Sequence, residues 1–235
     1  PYYSEHLILA TPDNGAAIAL YAACKATLKV ADGQEITLHE QTNYPFEEKI
    51  SFTVNTTEDV RFPFYLRIPS WCDQPELAIN GKQKEIDPIP GKYIYIDRTW
   101  TDGDKVELNL PMKLSIRTWQ VNKNSVSVNY GPLTLSLKIN EEYIQKDSRS
   151  TAIYDSRWQE GADATQWPSY EIFPKSPSNY ALVLDSKVPL KNFKVIRKEW
   201  PSDNFPFTVS NVPLEVKAIG KQIPSWTLDK YGLCS

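Results

Sequence analysis

The chain has 235 residues, with 26 Lys and Arg against 29 Asp and Glu, for a net charge of −3. That mildly acidic balance excludes the broad basic footprint of a nucleic-acid binder, and no apolar run approaches the ~18 residues of a membrane-spanning helix. Eighteen prolines, nine glycines, thirteen tyrosines and seven tryptophans suit short strands joined by proline-bearing turns and disfavour a helical fold.

The opening Pro1-Tyr2-Tyr3 has neither an initiator Met nor a basic secretion-signal start, so the chain reads as a piece of a longer polypeptide. Tyr3 to Leu9 is the one stretch suited to a short helix, the expected tail of an upstream domain. Beyond it, Ile18 to Tyr21, Ala26 to Val30, Ile36 to His39 and Ile50 to Val54 alternate apolar with polar residues, as half-buried strands do. The clearest case follows. Phe62, Phe64, Leu66 and Ile68 form one face, Arg61, Tyr65 and Arg67 the other, and Pro69-Ser70-Trp71 ends the strand with a large aromatic. Leu77 to Ile79 then leads into Asn80-Gly81, the dipeptide of a two-residue hairpin turn.

Tyr93 to Ile96, Val106 to Met112, Ser115 to Thr118, Val126 to Tyr130 and Leu133 to Ile139 continue the series. Asp13-Asn14-Gly15, Asp32-Gly33, Asp102-Gly103 and Gly131-Pro132 add turn signals, so strands recur roughly every 8 to 14 residues, as in a β-sandwich. From Asn140 to Tyr180 the alternation lapses. The segment is polar, with Trp158, Trp167, Pro168, Pro174 and Pro177. Strands resume at Ala181 to Leu184, Phe193 to Ile196, Phe207 to Val209 and Leu214 to Ile219. The expected fold is all-β, with two β-sandwich units of jelly-roll or immunoglobulin-like kind. The first takes residues 10–139 plus 207–228, its last strand returning to complete it; the second, smaller and inserted in the first, takes 140–206.

Candidate chemistry is sparse. Glycoside hydrolysis needs two carboxyls ~5 Å or ~6.5–9.5 Å apart across a sugar. Glu47-Glu48 and Glu141-Glu142 are adjacent pairs beside turns, where successive strand residues face opposite ways, so neither pair is assigned to catalysis. Asp97, Asp102 and Asp104 surround Trp100 and suit a calcium ion by type. Their spacing is not that of an EF-hand, because Gly103 falls one place late and Leu108 stands where the closing Glu belongs. A tight Asp-Gly turn capped by side-chain hydrogen bonds is expected instead.

His6 and His39 stand alone, without the partners of a nucleophile or metal site. Cys24, Cys72 and Cys234 are odd in number and lack C-x-x-C spacing, so they read as ordinary thiols, with a Cys24–Cys72 bridge left open. Lys82 to Lys84 and Arg197-Lys198 read as solvated turns and strand faces. Trp71 and Trp100 end core strands and are assigned to packing. No residue is assigned a catalytic, cofactor-binding or metal role. Trp158, Trp167 and Trp200, in segments of weak periodicity, are the candidate contacts for carbohydrate or for an interface.

Phe64 to Trp71, Ile79-Asn80-Gly81, Tyr93 to Trp100 with Gly103-Asp104, and Leu108 to Met112 together form an ordered set of motifs. The set resembles the region after the catalytic barrel in glycoside hydrolase family 127, the β-L-arabinofuranosidase-like enzymes. The resemblance continues at Asn129-Tyr130-Gly131-Pro132-Leu133 and Ile223-Pro224-Ser225-Trp226, and upstream at Ala17 to Tyr21 and Gln41 to Phe46. It covers about residues 10–228. It implies a parent enzyme with an N-terminal (α/α)6 barrel followed by two β-sandwich units, the second inserted in the first.

In that family a zinc-bound cysteine nucleophile and glutamates on the barrel carry the chemistry. None of Cys24, Cys72 and Cys234 stands in the family's Cys-Cys motif, so no zinc or catalytic role transfers, and no cofactor is expected in this chain. The implied role is a non-catalytic accessory region whose partner is the barrel of the same polypeptide. A homodimer and a plant-derived oligosaccharide are further candidate partners; nucleic acid and membrane are not. A carbohydrate-binding module is the alternative reading. A periplasmic or extracellular address would suit a degrader of plant polysaccharide.

Overall fold

The computed structural model describes residues 2–152 and 157–227. It divides into two compact units, Pro1–Leu135 and Ser136–Ser235. In the first, the helix α1 (Tyr2–Glu5) precedes β1 (Ile8–Ala10), β2 (Ala16–Ile18), β3 (Cys24–Val30), β4 (Gln34–Thr42), β5 (Lys49–Thr56) and β6 (Val60–Arg67). Then come β7 (Glu76–Ile79), β8 (Lys82–Lys84), β9 (Tyr93–Trp100), β10 (Asp104–Asn109), β11 (Leu114–Trp119), β12 (Ser125–Tyr130) and β13 (Leu133–Leu135). One sheet has the order β1-β2-β6-β9 and a second the order β3-β4-β5-β10-β7-β8, while β11-β12-β13 make a third.

The period of two decides what each strand buries. Phe62, Phe64 and Leu66 of β6 are fully buried, as are Ile50, Phe52 and Val54 of β5, while the residues between them reach the outer faces. Phe52 of the six-stranded sheet meets Phe64 of the four-stranded sheet edge to face, ring centroids 5.6 Å apart. Both sheets therefore contribute to one core, the arrangement of a β-sandwich. Trp100 is fully buried at the end of β9, and its indole N–H donates to the Phe62 carbonyl at 3.0 Å. That bond removes the cost of burying the one polar atom of the ring. Trp71 is half-buried against the same core.

Two turns depend on glycine for a local reason. Asn80 and Gly81 have φ of 52° and 74°, the paired positive values of the hairpin turn expected between β7 and β8. Gly15 lies under β6, where an added Cβ would sit 2.3 Å from the Pro63 carbonyl oxygen. The helix expected over Tyr3 to Leu9 stops at Glu5, and Ile8–Ala10 pairs with β2 instead. A segment that short gains too few intrahelical bonds to compete with a sheet edge.

The second unit contains β14 (Glu141–Lys146), the one-turn helix α2 (Ser148–Thr151), β15 (Ser169–Pro174), β16 (Tyr180–Leu182), β17 (Lys194–Arg197), β18 (Leu214–Lys217) and β19 (Gly220–Gln222). They form three two-stranded sheets, β14-β15, β16-β19 and β17-β18. Among the described residues of this unit, the buried apolar side chains are Leu214 and the prolines Pro206 and Pro213. The polar stretch 140–180, where no strand is expected, contributes the hairpin strands β14 and β15. Both faces of that hairpin carry polar and apolar side chains, which hides its period.

The strand expected over Phe207 to Val209 is a turn, held by Thr208 accepting from the Asn211 and Val212 amides. Leu214–Lys217, expected to return to the first sandwich, pairs with β17 instead, Val216 opposite Val195. β19 likewise pairs with β16, so the segment assigned to the first unit supplies strands to the second. Alternation marks a strand but not its partner. Cys234, and Leu228 at the end of the expected 207–228 segment, lie outside the described residues.

Candidate functional site

The three predicted tryptophans sit in irregular segments of the second unit. Trp158 is half-buried, and Trp200 is half-buried with its indole N–H donating to Asn204 Oδ1 at 2.7 Å. Trp167 is 69% exposed, and its backbone carbonyl accepts from the Ser148 hydroxyl. Of the three it alone is exposed.

The adjacent acids diverge as expected. Glu141 accepts from the Tyr143 hydroxyl, while Glu142, on the other face of β14, pairs with Lys175 at 2.7 Å. Glu48 accepts from the Met112 amide and Glu47 is exposed. The Asp-Gly turn is tied by side chains. Asp104 is buried and accepts from the Thr101 amide and from Asn80 Nδ2, and it pairs with Arg98 at 3.3 Å. Those partners hold its carboxyl below the usual carboxylate range against the opposing effect of burial. Asp102 accepts from the Thr56 amide and Asn55, and Asp97 is clamped by Arg61. Each carboxylate is committed to turn or cross-strand structure.

One buried carboxyl escaped the sequence reading. Glu40 of β4 is fully buried between Cys24 of β3 and Phe52 of β5. It accepts from the Ala22 amide at 3.0 Å and lies 3.9 Å from Cys24 Sγ. Burial pushes its carboxyl up to about 8 and the Cys24 thiol up to about 11, with Glu40 itself adding to the latter. Burial raises the Cys72 thiol as well, and both cysteines are unbridged. Zinc ligation needs thiolates, which these sites disfavour. Among the described residues no three His, Cys, Asp or Glu side chains converge. Among the described residues, Cys24 and Cys72 therefore do not fit a zinc ion. His39 is exposed opposite Lys25.

Three tyrosines missed by the sequence reading share the outer face of the four-stranded sheet. Tyr65 of β6 faces Tyr95 of β9 with ring centroids 5.1 Å apart, and Tyr93 of β9 stands opposite Arg67 of β6. Tyr93 and Tyr95 are 45% and 56% exposed. The Tyr65 hydroxyl donates to Asp13 at 2.6 Å, and Arg61 holds Asp97 through two hydrogen bonds of 3.2 and 2.9 Å. The one available signal was the polar face of the alternation, which marks solvent exposure without distinguishing a platform from an ordinary surface. Two shallow depressions, of about 240 and 180 Å³, lie on the six-stranded sheet. Both are smaller than the ~300–1,000 Å³ usual for enclosed ligand pockets.

Residues 15–112 match the family model described as "Beta-L-arabinofuranosidase, GH127 middle domain". Among solved structures, the chain is similar to a "Glycoside hydrolase" at 30% identity and TM-score 0.49, over 52% of this chain and 21% of that one. It is also similar to a GH127 beta-L-arabinofuranosidase from Geobacillus stearothermophilus T6, at 22% identity and TM-score 0.52, over 73% of this chain and 32% of that one. A GH127 beta-arabinofuranosidase matches at 21% identity and TM-score 0.48, over 75% and 30%. The chain thus spans about a fifth to a third of the length of these structures. No curated protein matches.

Proposed function

We propose that this chain, whose residues 15–112 match the GH127 middle domain, is the non-catalytic accessory region of a longer β-L-arabinofuranosidase-like glycoside hydrolase. Its role is to pack against and stabilise an (α/α)6 barrel that carries the bond-breaking groups and their zinc. The observation that carries this reading is the surface of the second unit. On one face of the β14-β15 ribbon, Tyr143, Tyr170 and Ile172 are 57%, 49% and 55% exposed, with Tyr143 directly opposite Ile172. Ile144 and Phe173 on the other face are 42% and 44% exposed, so a two-stranded ribbon, marginal on its own, leaves large apolar side chains uncovered on both faces, as a surface made to be covered does. The share of the solved GH127 chain that this chain leaves unmatched supplies a candidate cover.

Two measurements test the reading. The 235-residue chain should show no turnover of arabinofuranosides, and clear turnover would overturn the non-catalytic role. In a longer polypeptide that includes the barrel, Tyr143→Ser with Ile172→Ser should lower the melting temperature by several degrees, through lost burial of about 2 kcal/mol or more. An unchanged melting temperature refutes the docking. Sedimentation of the chain alone distinguishes a second copy as the cover, since a dimer would dissociate on dilution. The alternative, a carbohydrate-binding module, draws on the 69% exposure of Trp167 and predicts quenching of its fluorescence by oligosaccharide.

A further inference from the structure

The outer face of β6 and β9 groups aromatic rings with hydrogen-bonding side chains. In register across the two strands stand Arg67 and Tyr93, Tyr65 and Tyr95, and Pro63 and Asp97. The row containing Tyr65 and Tyr95 runs on through Ala17 of β2 to Leu9 of β1, so small or apolar residues extend the tyrosine surface. At strand spacings of ~3.4 Å per residue and ~4.8 Å between strands, the four central side chains cover ~7 by ~5 Å, the footprint of one or two sugar rings.

Some polar groups on this face are already committed. Asp13 holds the Tyr65 hydroxyl and Asp97 holds Arg61. These pairs set the tilt of the Tyr65 ring and leave spare carboxylate lone pairs on one flank. The rest are uncommitted. The half-buried Arg67 guanidinium and the hydroxyls of Tyr93 and Tyr95 make no hydrogen bond or ion pair among the described residues. Arg67, placed beside an aromatic ring, thus keeps its full set of planar donors.

We propose that Tyr93, Tyr95 and Arg67 form a platform for a neutral saccharide, which stacks the C–H face of a ring on the tyrosines and presents oxygens to the guanidinium. The two arginines, Arg61 and Arg67, balance the two acids, Asp13 and Asp97, so the face has no net charge to select an ionic ligand. A protein anchor would need a desolvated pocket to fill, and neither of the two depressions on the six-stranded sheet lies on this face. A ligand with apolar faces ringed by hydroxyls matches tyrosines interleaved with donors and acceptors. Because the platform lies on the exposed side of a sheet and not in a pocket, it suits part of an oligosaccharide rather than a single enclosed sugar. The proposal draws its sugar context from the GH127 reading but not its geometry.

The experiment is a titration of the intact 235-residue chain, followed by NMR and calorimetry, with a neutral arabino-oligosaccharide and with an oligogalacturonate of equal length. The neutral sugar should bind with a Kd of ~1 mM, where recognition is worth ~4 kcal/mol, and the acidic one no more tightly. Tyr95→Ala should weaken binding about tenfold, Arg67→Gln by several-fold, and Trp167→Ala not at all, with all three melting temperatures near that of the parent. An absence of shifts at about 10 mM sugar, where a ~1 mM site would be mostly filled, overturns the proposal. So does binding that is lost with Trp167 and kept without Tyr95, or a clear preference for the galacturonate. In a barrel-containing polypeptide without sugar, loss of Tyr93 and Tyr95 nitration would assign the face to a protein interface and also overturn it. The accessory reading fails separately, on turnover of arabinofuranosides by the chain itself.

Discussion

Replacing Glu40 with glutamine should make this protein more stable as the pH rises, and by an amount that depends on pH. Glu40 is fully buried, and its folded-state carboxyl is pushed up to about 8 by burial, against partial relief from the Ala22 amide. The folded protein therefore binds a proton that the unfolded chain releases near 4.5. A raised value stabilises the fold fully below the unfolded pKa, and that contribution is lost as pH climbs to the folded one. At 1.36 kcal/mol per unit, the gap amounts to as much as about 5 kcal/mol between pH 4.5 and pH 8, a large share of a typical 5–15 kcal/mol.

Its titrating neighbours do not blur that window. Cys24 is pushed up to about 11, and burial lifts Tyr21 well above 10. Glutamine keeps the acceptor for the Ala22 amide and carries no ionisable proton. Urea unfolding of both proteins at pH 5, 6, 7, 8 and 9 provides the assay. The advantage of Glu40→Gln should grow through this range and level off past about 8. Parallel curves from pH 5 to 9 would refute the claim that an uncharged carboxyl occupies the core.

Two further predictions concern packing. Trp100→Ala removes a fully buried ring that touches Phe62 and Phe64 and should cost about 3–5 kcal/mol in urea unfolding; Trp71→Ala, at a half-buried ring, should cost about half as much. A Trp100 loss under about 1 kcal/mol, the range of surface changes, would contradict its placement. Gly15→Ala forces a Cβ against the Pro63 carbonyl and should destabilise by about 1–3 kcal/mol, read as a drop in melting temperature. A neutral substitution there would show that β2 can move away from β6.

Much of the first unit was legible because each strand is buried on one side. Phe62, Phe64 and Leu66 alternate with Arg61, Tyr65 and Arg67, and the structure buries the first set and exposes or half-exposes the second. Asn80-Gly81 likewise specified its hairpin through a local need for positive φ. The second unit was harder to read. In β14, Tyr143 and Ile144 are adjacent and both exposed, so no two-residue period survives. Of the predicted tryptophans, Trp167 is a solvent-facing ring, whereas Trp200 is tied to Asn204. The tyrosine platform was invisible because its members come from two strands roughly 30 residues apart, and only register sets Tyr65 beside Tyr95.

The amino-acid order by itself determined the class of the fold, most strand positions in the first unit, the burial of Trp100 and the likeness to GH127. These are local matters, settled by alternation, turn chemistry and short motifs. Tertiary structure alone decided which strands pair, sending Leu214–Lys217 to β17, and it alone placed a carboxyl in the core at Glu40. The physical reason is that a strand's period reports which face is buried, while its partner is chosen by backbone hydrogen bonds to residues far away in sequence. The state of a charge depends in turn on whatever neighbours that choice brings.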